Sequence, residues 1–153
     1  MSDWLDAARG RFDFLRRVAA LHGCMVRVGT WSAEDWLGGA VAEEKRIFIN
    51  MEQSMGEAAV RWLVENHAED RGVDAEACEW VIRTWALLHE LGHVLLRHGR
   101  DGDRMALYEE QANLFARRVL IALLEDHDIS EQGAADLCGR IAQDMAGAPT
   151  EAH

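Results

Sequence analysis

The sequence predicts an α+β fold, a mostly helical single domain over residues 1–153 with a small β-sheet. Three observations predict it. Apolar residues recur at helical spacing through most of the chain. Only one of the 153 residues is proline, so few helices are interrupted. Strand-like alternation is confined to short runs before residue 51. Hydrophobic residues make up 49% of the chain, an ordinary globular proportion that can bury a core at this length.

The elements follow in order. Asp3 to Leu21 sets Trp4, Ala7, Ala8, Phe12, Leu15, Val18 and Ala19 on one helical face, and Gly23 ends that helix. Cys24 to Val28 predicts a first strand, in which Val26 and Val28 alternate with Arg27. Ser32-x-x-Asp35 is a capping pattern for a single helical turn over 30–36, and Gly38-Gly39 punctuates. Residues 40–42 and 46–50 predict a hairpin around Glu43-Glu44-Lys45. Ser54-x-x-Glu57 caps a helix carrying Met55, Ala58, Ala59, Trp62 and Leu63. A polar loop over 65–74 follows, and Asp74 caps a long apolar helix expected to stop at Gly99. After the charged turn 100–104, helices are expected from about Met105 to Glu125 and from Glu131 to Met145, the last capped by Ser130.

Net charge of −11 argues against direct nucleic-acid binding or an anionic membrane surface. No apolar run reaches the roughly 20 residues that span a bilayer. Asp3, Asp6 and Arg9 interrupt the amino terminus where a secretion signal would be apolar. Cys24, Cys78 and Cys138 form no C-x-x-C pair and read as reduced thiols. The expectation is a cytoplasmic protein.

The chemistry is concentrated within residues 78–120. His89-Glu90-Leu91-Gly92-His93 interrupts the apolar stretch from Trp80 to Leu88. Residues four apart on a helix share a face, so both imidazoles can hold one metal ion, with Glu90 beside them as general base toward a water. Burying two histidines and a glutamate without a metal or partners is costly, which sets this pattern apart from ordinary packing.

A catalytic zinc usually has three protein ligands. His98, five residues beyond His93, turns away from the other two if the helix continues. The extended pattern H-E-x-x-H-x-x-G-x-x-H fails because Leu96 and Gly99 stand at its glycine and histidine positions. The third ligand is therefore expected on the next helix, at Glu109, which shares a face with Asn113 and lies beside the small residues Ala112 and Ala116. Those small residues let that helix approach Gly92. Glu110, about 100° around the helix, is the alternative. Asn113 is placed to hydrogen-bond a ligand imidazole and fix its tautomer. Tyr108, the only tyrosine, reads first as a packing or surface residue, with polarisation of a carbonyl as its functional alternative. Zinc suits this ligand set best, and Mn²⁺ or Fe²⁺ could occupy it.

Leu88-His89-Glu90-Leu91-Gly92-His93 followed by Glu109-x-x-Ala112-Asn113-x-Phe115-Ala116 resembles the ImmA/IrrE metallopeptidases. Similarity extends to Ile47-Phe48-Ile49-Asn50 and to Ile129-Ser130-x-x-Gly133-Ala134. The resemblance implies a zincin-like domain with its metal site between two core helices and an edge strand lining the cleft. It implies metal bound by His89, His93 and Glu109, with Glu90 as base, in a gluzincin-like endopeptidase that cleaves a helix-turn-helix transcriptional repressor. The chain departs from the family in carrying Val119-Leu120-Ile121-Ala122 where Leu-Met-Pro is usual, and in a longer stretch over 55–74. A substrate is expected to lie extended along the strand near Ile47 to Asn50. Two other readings differ in class: a metal-stabilised module that sequesters a protein partner without cutting it, and a hydrolase of small amides.

Overall fold

The computed structural model describes residues 2–31, 38–51, 75–99 and 102–147. The turn expected from Ser32, the helix after Ser54, the loop over 65–74 and the Asp74 cap lie outside them. Among the described residues the fold is α+β, with four helices and a three-stranded mixed sheet.

Helix α1 (Ser2–Leu21) buries Phe12, Leu15, Val18 and Ala19, as its apolar spacing requires. Ala7, expected on the same face, is exposed. The helix ends on Gly23 at φ +80°, where Cys24 N–H reaches the Ala19 carbonyl and Gly23 N–H the Ala20 carbonyl. This is the Schellman arrangement, whose left-handed residue glycine adopts without a Cβ penalty.

The sheet order is β1 (Met25–Gly29), β3 (Arg46–Asn50), β2 (Gly38–Val41). β2 and β3 form the expected hairpin, joined by a 3₁₀ turn at Ala42–Glu44 and by Lys45 in the left-handed region. β1 pairs with β3 in parallel, Val26 opposite Ile47 and Val28 opposite Ile49. Ile47 and Ile49 are fully buried because β3 is central, flanked on both sides. The expectation that the strand near Ile47 to Asn50 is the edge beside the site is therefore corrected: among the described residues that edge belongs to β2. Asn50, also fully buried, accepts from Trp31 N–H through Oδ1 and donates to the Trp31 carbonyl through Nδ2, closing the end of the sheet.

Helix α2 (Ala75–Leu95) crosses beneath the sheet and packs against α1 and α3 (Met105–Glu125). It buries Leu87, Leu88 and Leu91 completely against a core shared with Phe115, Ala116 and Val119 of α3. Helix α4 (Glu131–Gly147) starts where Ser130 Oγ accepts from Gly133 N–H at 2.9 Å, the cap expected of that serine. Cys24 and Cys138 are buried and unpaired by disulfides. Among the described residues no helix is long and apolar enough to cross a membrane.

Gly38-Gly39, expected to punctuate, lie within β2, and α4 runs on to Gly147, but the bound that differs most is the end of α2. α2 stops at Leu95, four residues before Gly99. His98 N–H bonds the His93 carbonyl at 3.0 Å and Arg97 N–H the Val94 carbonyl at 3.1 Å. This repeats the end of α1, with Arg97 at φ +57° in the glycine's role.

The approach of α2 to α3 rests on Gly92. A Cβ there would lie 2.9 Å from Phe115 Cδ2 and 3.2 Å from Phe115 Cβ. Gly92→Val is expected to lower stability by about 1–3 kcal/mol through overpacking, read as a reduced midpoint in denaturant titration. An unchanged midpoint would show that the two helices have room to spare.

Candidate metal centre

His89 and His93 project from one face of α2 toward α3, their ring centroids 4.8 Å apart. Their Nε2 atoms are 3.2 Å apart. Glu109 meets both, with Oε1 2.9 Å from His89 Nε2 and Oε2 3.0 Å from His93 Nε2. Glu110 is exposed and stands outside this group, so the carboxylate that joins the histidines is that of Glu109.

The outer ring nitrogens are engaged as well. His89 Nδ1 lies 2.8 Å from Asn113 Oδ1. With the amide oxygen accepting, Nδ1 carries the proton and Nε2 presents its lone pair to the centre. Glu109 and Asn113, four apart on α3, thus face the two nitrogens of one imidazole. His93 Nδ1 lies 2.8 Å from His98 Nδ1, and His98 Nε2 lies 2.7 Å from Gln111 Oε1. Gln111 accepts from His98 Nε2–H, which leaves His98 Nδ1 as acceptor and His93 Nδ1–H as donor. His93 Nε2 therefore also turns a lone pair inward.

The donor set fits a cation. Two imidazole lone pairs and a carboxylate converge within about 3 Å of one another, an arrangement that repels itself unless positive charge lies between them. In tetrahedral zinc coordination, with bonds of about 2.0–2.2 Å, neighbouring ligand atoms sit about 3.3 Å apart, close to the separations here. Burial first, and the neighbouring His89 second, push the His93 pKa down, which favours the neutral imidazole that a metal needs. His89, His93 and Glu109 can together hold a metal ion.

Glu90 occupies the next position on α2, rotated about 100° from His89, and faces β2 instead of α3. A Cβ built at Gly38 would lie 3.2 Å from Glu90 Cγ and 3.3 Å from its Oε2. The bare backbone of β2 is what gives this carboxyl its place at the sheet edge. Glu90 borders a cleft of about 430 Å³ together with Gly38, Gly39, His93, Tyr108 and Glu109. Burial, with a smaller contribution from the charge of Glu109, raises its pKa from 4.5 to about 8.

Read from the sequence, Gly38 is only a break in the chain and His98 turns away from the site, yet both border it. The run Gly38-Gly39-Ala40 carried a signal, since small residues in a strand mark close approach. His98 was set aside on the assumption of a continuous helix. Its position depends on Arg97 adopting a left-handed conformation, for which an arginine gives no cue.

A carboxyl whose folded pKa lies above its unfolded value binds protons more tightly when folded. Its stabilising contribution is present below about pH 4.5 and lost as pH rises through about 8. In chelator-treated protein, stability relative to Glu90→Gln is therefore expected to fall across that window. Parallel curves for the two proteins would mean the Glu90 carboxyl is not held protonated.

No protein-family model matches the chain, and no curated protein or solved structure is significantly similar to it.

Proposed function

We propose that the chain is a zinc-dependent endopeptidase of the zincin-like kind, with His89, His93 and Glu109 as ligands and Glu90 as general base. The observation that carries this reading is the pairing of a three-donor lone-pair triangle with a buried carboxyl on the adjacent helical position, both opening onto one cleft. Manganese or iron could occupy the same donors.

Zinc bound there would supply Lewis acidity toward a scissile carbonyl and toward a water. The protein's own groups do the rest. Glu90, held beside β2 in a site of low polarity, takes the proton from the attacking water and returns it to the leaving amine. Asn113 keeps the His89 ring in the tautomer that leaves Nε2 free for the metal.

Among the described residues β2 is an edge strand, so a peptide can extend the sheet there through main-chain hydrogen bonds. Clefts of about 430 Å³ and 610 Å³ border β2, the second beside Trp31 and Phe48. Side chains of an added strand, alternating between faces, would have room on both sides. An exposed linker of a helix-turn-helix repressor is the substrate that the ImmA/IrrE resemblance puts forward, and it meets the requirement for an extended segment.

The experiment is zinc content together with proteolysis of unfolded casein and purified repressors. Wild type is expected to carry about one zinc per chain, and Glu109→Ala much less. Glu90→Gln should keep the metal while cleavage slows by about 10²–10⁴-fold. Cleavage that survives in Glu90→Gln would remove Glu90 as the base. Partner regulation that survives without any cleavage would favour a sequestering module.

A further inference from the structure

The side chain beyond His93 that the proposed chemistry leaves unused is His98, and its surroundings are the most fully specified of any polar group near the cleft. Two independent links join it to His93. Its backbone N–H bonds the His93 carbonyl at 3.0 Å, and its Nδ1 lies 2.8 Å from His93 Nδ1. On its far side Nε2 meets Gln111 Oε1 at 2.7 Å. The Tyr108 ring stacks on the imidazole, with centroids 4.3 Å apart and planes 16° from parallel.

We propose that His98 is a positioning residue for the metal centre: it accepts the His93 Nδ1 proton and thereby commits His93 Nε2 to the metal. The inference rests on the zinc reading above. His98 is not a fourth ligand, because both its nitrogens are engaged away from the triangle of His89, His93 and Glu109. A ligand histidine needs an acceptor on its outer nitrogen, usually a carboxylate, a carbonyl or water. For His89 that acceptor is Asn113. For His93 it is a second imidazole, which can serve only if its own proton sits on the opposite nitrogen. Gln111 holds it there, and Tyr108 keeps the ring in plane.

The geometry makes α3 a double clamp. Asn113 grips His89 directly, with Glu109 one turn earlier on the same face. Tyr108 and Gln111, three apart on a neighbouring face, grip His93 through His98. Local chain geometry supplies the last part, since the left-handed Arg97 folds His98 back over the final turn of α2.

The test compares zinc affinity, by competition with a chromophoric chelator, in wild type, His98→Leu and His98→Asn. Leucine keeps bulk and removes the acceptor, whereas asparagine gives up bulk and sets an amide oxygen near the former Nδ1. His98→Leu is expected to weaken zinc binding about 10–100-fold and to alter the cobalt(II) d–d spectrum, with His98→Asn recovering most of both. Equal affinity in wild type and His98→Leu overturns the proposal, as does an asparagine variant no better than the leucine one. A role in packing alone predicts the reverse order of the two variants. Independently of any variant, ¹⁵N-histidine spectra of the zinc-loaded wild type should show His93 protonated at Nδ1 and metal-bound at Nε2. Metal at Nδ1 overturns the assignment. Absence of zinc binding in the wild type itself overturns the metal reading along with this one, and so separates the two failures.

Discussion

Three electron-rich groups from two helices lie within about 3 Å of each other, and they do not hold themselves together. The force that assembles them is apolar. Leu87, Leu88 and Leu91 on α2 and Phe115, Ala116 and Val119 on α3 are wholly buried. Each large side chain contributes about 1.5–3 kcal/mol on leaving water, against about 1 kcal/mol net for a typical hydrogen bond. Packing therefore sets the distance between the helices, and the polar groups accept it. Gly92 lets the helices approach against Phe115, three residues after His89 and one before His93. The core presses the ligand set together and leaves its mutual repulsion for a cation to relieve.

Helical periodicity then divides the labour. His89 and His93, one turn apart, face α3, while Glu90, a single step onward, faces β2. One helix thus addresses two neighbours, a helix that supplies the carboxylate and amide and a strand that supplies bare backbone. A bulky residue at Gly38 would occupy the space of the Glu90 carboxyl. The small inner-face residues of β2, Gly38 and Ala40, stand opposite Ile49 and Ile47 of β3. The sheet is thick where it forms the core and thin where it meets the site. This thinness also leaves the β2 edge next to the cleft.

Legibility followed the physics of each signal. Helical periodicity runs through α1 and α3, Ala7 excepted, and the bounds Met105–Glu125 could be read directly. Gly23 announced the end of α1 because glycine is the residue that a left-handed position favours. The same motif ends α2 on Arg97, and there the reading ran on to Gly99, the next glycine in the chain. That slip of four residues hid His98, whose reach to His93 exists only because the helix has stopped. Strand order was equally silent. Ile47-Phe48-Ile49 reads as a strand in any position, and only the parallel pairing of β1 puts it in the centre. The cluster of His89, His93, Glu109 and Asn113 was legible because both pairs obey four-residue spacing on regular helices.

Charge ties the two halves of the site to each other. Without a cation, burial first and the charge of Glu109 second hold the Glu90 pKa up at about 8. A divalent ion held by His89, His93 and Glu109 would reverse the sign of that influence, since it would be the largest charge nearby. With zinc held there, the Glu90 carboxyl would be drawn toward its ionised form, the form in which it could accept a proton from water. In the proposed function the base is thus made by the metal as much as by the helix. In the metal-free chain burial favours the protonated form of the Glu90 carboxyl. Burial, which by itself works against a general base, is what makes its appearance conditional on the metal. The same desolvation that costs the folded protein stability as pH rises strengthens the pull of the cation on that carboxyl.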